Sequence, residues 1–160
     1  MKFTIITLLA LSGFIIAAEK SKSVKFDQLP VAVATAIQKA TGGADITKLT
    51  KEKEDGVEAY EAVWMVKGRK HEVTVARNGT VIGLEEVIPL AEAPEAVRAT
   101  IKKEADGRKV IKVEKAMEKG RTFFEAAIKA KKGTLEIEMD ESGKVLEREE
   151  EDGDEDDEKK

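Results

Sequence analysis

The residues LPVAVATAIQKATGG at 29–43 return sixty-four positions later as APEAVRATIKKEADG at 93–107. Carried without a gap over 29–86 and 93–150, the comparison gives 18 identities in 58 pairs, for which a duplication is the simplest account. The matches fall at structurally meaningful positions. Pro30 meets Pro94, Val33 meets Val97 and Ile37 meets Ile101, while Gly43, Gly56 and Gly79 meet Gly107, Gly120 and Gly143.

Each copy opens with proline at a first helical turn, followed by apolar residues on one face: Val33, Ala36, Ile37 and Ala40, then Val97, Thr100 and Ile101. Gly42-Gly43 and Asp106-Gly107 stop these helices. Four short alternating stretches follow each helix. They are divided by Asp55-Gly56, Lys67-Gly68 and Asn78-Gly79 in the first copy, and by Lys119-Gly120, Lys132-Gly133 and Ser142-Gly143 in the second. Such pairs make hairpin turns, so the sequence predicts an α+β fold of two tandem repeats, each one α-helix packed on a four-stranded antiparallel meander. A unit of about 60 residues buries only about 60% of its extended surface, so the copies are expected to pack together or share a sheet.

Alternation then assigns the faces. Tyr60, Ala62, Trp64 and Val66 lie on the helix side of one strand, as do Phe124, Ala126, Ile128 and Ala130 of its counterpart. A tight turn at Lys67-Gly68 sets Trp64 opposite His71 on that covered side, which favours a core-margin histidine over a ligand or general base. The opposite face keeps charge in both copies. Glu61 is diagonal to Glu72 and to Lys48, and Glu125, Glu136 and Lys112 are their equivalents. Between the charges the first copy carries Ala59, Val63 and Met65, and the second carries Phe123. Apolar groups ringed by charge on an uncovered sheet mark a surface for a partner, unless the two sheets cover one another. Diagonal carboxylates also invite a glycosidase reading, but an open sheet with a lysine nearby does not raise one carboxyl pKa as that chemistry requires.

The flanks have their own signals. Lys2, an apolar run from Phe3 to Ile16 and Ala17-Ala18 form a secretory leader over 1–18, too short to remain as a spanning anchor. The mature chain is expected to be soluble and periplasmic or secreted. Repeats are expected over 24–88 and 89–148, with a disordered acidic tail over 149–160 at the end of the run EREEEDGDEDDEKK that begins at Glu147. Asp152, Asp154 and Asp156 echo a calcium loop, but Asp157 stands where glycine is needed, which leaves only weak divalent-cation binding by the tail.

Composition narrows the chemistry. Cysteine is absent and histidine occurs once, which excludes thiolate sites and leaves no cofactor or metal to expect. Aromatics are only 4%, which argues against a base-stacking platform for nucleic acid. No phosphate-binding glycine loop or nucleophilic triad is present.

The run from Leu29-Pro30 through AVATAIQKATGGADI (residues 32–46, which continue after Val31), the segment KEKEDGVEAYEA and the strand at Asn78-Gly79-Thr80-Val81 resemble PepSY-like domains grouped with beta-lactamase-inhibitor-like proteins. The second copy repeats that order. The resemblance implies an exported, non-catalytic module and a protein partner outside the cytoplasm, which includes the case of an enzyme such as a protease that it inhibits or modulates. The sheet face bearing Lys48, Ala59, Glu61, Val63, Met65, Glu72, Lys112, Phe123, Glu125 and Glu136 is the expected contact. The alternative is a cation-responsive or envelope-surface protein acting through the acidic tail.

Overall fold

The structure is a computed structural model that describes residues 21–54 and 57–151. The expected leader and the last nine residues lie outside the described residues. Helix α1 (Val31–Thr41) starts behind Pro30 and buries Val33 and Ile37 completely; it ends at Gly42, whose φ of 61° is open to glycine. Helix α2 (Glu95–Ala105) follows Pro94, buries Val97 and Ile101, and ends at Asp106 in the same left-handed conformation.

Among the described residues, nine strands account for most of the rest: β1 (Lys22–Ser23), β2 (Ile46–Glu54), β3 (Val57–Val66), β4 (Arg69–Ala76), β5 (Val81–Val87), β6 (Val110–Glu118), β7 (Arg121–Lys129), β8 (Thr134–Asp140) and β9 (Val145–Glu151). They form one antiparallel sheet in chain order. This overturns the expectation of two repeats, each a helix on its own four-stranded sheet. Pairing of β5 with β6, from Gly83 opposite Glu118 to Val87 opposite Glu114, fuses what would have been two edges. Unpaired ladder groups on an edge invite another strand, and here the chain supplies that strand itself. The join also excludes the alternative in which two sheets cover one another face to face.

Strand β9 brings a second correction. Glu149, Glu150 and Glu151 pair with Glu136, Leu135 and Thr134, so the start of the acidic run forms a ladder strand. Backbone hydrogen bonds offset the charge repulsion that would otherwise favour disorder.

Residues directly opposite one another share a face. Ala62, Val73, Leu84, Met117 and Thr122 succeed one another across β3 to β7, and this one face carries both helices. Val33 and Ile37 pack on Tyr60, Ala62, Trp64, Val73 and Val75. Val97 and Ile101 pack on Val113, Phe124, Ile128, Ile137 and Met139. Trp64 stacks on His71 with ring centroids 5.5 Å apart, as the turn predicts.

Two turns fix where the helices sit. A Cβ on Gly79 would lie 2.9 Å from the Ala32 carbonyl oxygen, and one on Gly143 would lie 2.6 Å from that of Ala96. Thr100 Oγ1 donates to the Gly143 carbonyl at 2.7 Å, tying α2 to the same turn. Gly107 has nearly the same φ as Gly143 but open space around it, so the pair separates conformation from contact. Gly107→Ala is expected to cost about 1–2 kcal/mol in chemical denaturation, and Gly143→Ala clearly more, because α2 must also move. Equal losses would show that the close approach does not hold the helix.

Candidate functional site

Among the described residues, no helix lies over the other face of the sheet. Its residues follow from the register: Lys48, Val63, Glu72, Glu85, Ala116, Phe123 and Asp140 lie in one row across β2 to β8. A second row places Glu114, Glu125, Glu138 and Glu147 directly opposite one another on β6, β7, β8 and β9. Like charges directly opposed in this way are destabilising. Four glutamates in line therefore need an explanation beyond solubility.

The two charged groups read from the sequence lie on this common face. Lys48 Nζ reaches Glu61 Oε1 at 2.8 Å, the expected diagonal contact, and Glu72 is beside them. Lys112 does not turn to Glu125. Its Nζ sits 2.7 Å from Glu114 Oε2, while Lys70 Nζ takes Glu72 Oε2 at 2.8 Å. Glu136 lines the same cleft as Glu125 and Glu114. Ala59 and Val63 are covered, as are Ala116 and Ala127, although no helix among the described residues lies on that side. Their cover comes from the long stems of the glutamates and lysines around them. Met65 remains 48% exposed, and Phe123 is partly exposed in the row between Ala116 and Asp140.

Burial changes the titration of this face. Glu72 and Glu114 are buried, each beside a lysine. Glu85 and Glu125 form no ion pair among the described residues, while Lys48, Lys70 and Lys112 are engaged with Glu61, Glu72 and Glu114. Loss of solvent pushes the Glu85 carboxyl up to about 9, reinforced by Glu72, Glu125 and Glu114 and opposed by Lys70. The same cause pushes Glu125 up to about 7, with Glu114, Glu138 and Glu136 adding to it and Lys112 opposing. Glu72, Glu138 and Glu52 are also raised, chiefly by burial. Among the described residues, no three His, Asp or Glu side chains converge to hold a metal ion.

Glu114, Glu138 and Glu147 escape a reading that keeps only charge retained in both copies. Glu114 aligns with Thr50, Glu138 with Thr74 and Glu147 with Gly83. The alternation of Glu136 and Glu138 on β8, and of Lys112 and Glu114 on β6, is the signal that finds them. Glu85 is matched by Glu149, yet its central position depends on the β5–β6 join.

Comparison with known proteins adds the fold. No protein-family model and no curated protein matches the chain. Among solved structures it is similar to a BLIP-like protein of Bacteroides fragilis, with a TM-score of 0.60 and 20% identity over 78% of this chain and 88% of that one. A DUF2874 family protein of Bacteroides ovatus gives a TM-score of 0.63 and 15% identity, covering 77% and 88% of the two chains. A protein of Bacteroides eggerthii, described provisionally as periplasmic, gives 0.64 and 17%, covering 76% and 88%. At these identities the likeness is one of fold. No helix among the described residues is long and apolar enough to cross a membrane.

The raised carboxyls predict how stability depends on pH. A carboxyl whose folded pKa exceeds its unfolded value binds its proton more tightly in the fold. Its stabilising contribution is therefore fully present below the usual value of about 4.5, and is lost as pH rises through about 7 for Glu125 and about 9 for Glu85. Denaturation midpoints are expected to fall between about pH 5 and pH 9, and Glu85→Gln with Glu125→Gln to flatten that fall. A midpoint that rises over this interval would contradict the burial of these groups.

Proposed function

We propose that the chain is an exported, non-catalytic, PepSY-like protein-binding module that works outside the cytoplasm, its two halves descended from one unit by duplication. Its open sheet face docks a protein partner, which includes the case of an extracytoplasmic enzyme that it inhibits or modulates. The carrying observation is the one-sided placement of α1 and α2, which leaves the opposite face with an exposed Met65 and a set of carboxyls poorly compensated by lysine. A fold tolerates that arrangement more readily when a partner supplies the missing compensation. The structural likeness to a BLIP-like protein and to a provisionally periplasmic one, together with the leader read over 1–18, supports the cellular address and the absence of catalysis.

The test compares two surface substitutions of similar chemistry. Met65→Asp alters the open face, while Val31→Asp alters α1, where Val31 is 83% exposed. Specific capture of a partner from an extracytoplasmic extract is expected to drop about tenfold for Met65→Asp and to persist for Val31→Asp. Equal capture by both would move the contact off this face.

A further inference from the structure

The open face says something about what it binds, if the docking reading above holds. Between β6 and β9 it forms a cleft lined by six glutamates and one lysine, with Glu114, Glu125, Glu138 and Glu147 along its floor. The single lysine, Lys112, is already paired with Glu114. Oε2 of Glu147 is buried there without a hydrogen-bond partner. An orphaned carboxylate oxygen costs the fold free energy that a donor entering the cleft would recover.

Three features describe that donor. It is cationic, since the lining carries a large excess of acid. It is compact, because the enclosed part of the cleft, about 20 Å³, holds one water-sized group, which suits a point-like ammonium head better than the broader guanidinium plane. It arrives on an apolar stem, since Ala126, Ala127 and Ile137 contribute to the wall. The carboxyls also stand in a line, one per strand, where a divalent ion needs them gathered round a point. A second copy of the chain presenting this same face would set acid against acid.

We propose that the open face binds a protein segment bearing lysine, with one lysine ammonium seated in the cleft among Glu114, Glu125, Glu138 and Glu147. Glu72 and Glu85, in the neighbouring row, extend the acidic track for further basic residues of the same segment. Binding requires Glu125 to be ionised, so a seated ammonium displaces its proton.

The experiment uses the chain from Glu19 to Lys160 and a capped lysyl-glycyl pentapeptide, with an arginyl counterpart, titrated by calorimetry at physiological salt. The lysyl peptide is expected to bind more tightly than the arginyl one and to release protons near neutral pH. Glu125→Gln with Glu138→Gln is expected to weaken it about tenfold, while Asp156→Asn with Asp157→Asn, which removes the same charge from the tail, changes it less than about twofold. The Gln variants replace carboxyls whose ionisation burial opposes, so they fold. Equal weakening by both pairs, equal affinity for the arginyl peptide, displacement of the peptide by calcium chloride alone through Glu125 and Glu138, or no binding would each overturn the assignment. If the peptide fails while Met65→Asp still abolishes partner capture, the docking face stands and the lysine falls. If Met65→Asp leaves capture intact, the docking reading itself has failed.

Discussion

The hydrogen bonds between β5 and β6 are the constraint from which the rest of the structure follows. They close the two edges that a pair of separate meanders would leave open, and they set the pleat of β6 by that of β5. Because a shift of one residue would turn every side chain of the second half over, this register decides that α1 and α2 fall on the same face. The same register then gathers the charges of both halves on the other. Helix packing and acid clustering are two consequences of one pairing.

The two faces meet different physical demands. On the helix side, Val33, Ile37, Val97 and Ile101 bury against a sheet of Val, Ile and aromatic residues, as area removed from water requires. On the far side, long charged chains cover small residues such as Ala59, Ala116 and Ala127, and that cover costs the outer groups part of their hydration. Lysines at 48, 70 and 112 relieve Glu61, Glu72 and Glu114. Relief stops there, and Glu85 and Glu125 keep their protons well above the usual carboxylate range. A surface selected only for solubility would spread these groups apart or interleave them with lysine. Opposition in register is what makes the face a candidate for recognition.

Much of this was legible in the sequence because it rests on local rules. Pro30 and Pro94 start helices, Gly42 and Asp106 end them, and the hairpin pairs set Trp64 against His71. The assignment of Tyr60 and Phe124 to the covered side follows from alternation alone. What local rules could not supply was the long-range join of Gly83–Val87 to Glu114–Glu118, since nothing in either strand distinguishes an edge that will be paired from one that will face water. That gap turned a nine-stranded sheet into two smaller ones on paper. It hid Glu85 as well, which comes near Glu125 only through the join. The choice of Lys112 for Glu114 over Glu125 likewise depends on side-chain geometry that spacing does not encode.

The central claim is that the uncovered face holds carboxyl groups against their ionisation by burial and mutual proximity. Site-resolved titration of the glutamate side-chain carbons by nuclear magnetic resonance addresses it directly. The account predicts Glu125 to titrate near about 7 and Glu85 near about 9. Titration of both within the ordinary carboxylate range near about 4.5 would mean that the face is open to water throughout, and the case for a recognition surface there would be lost.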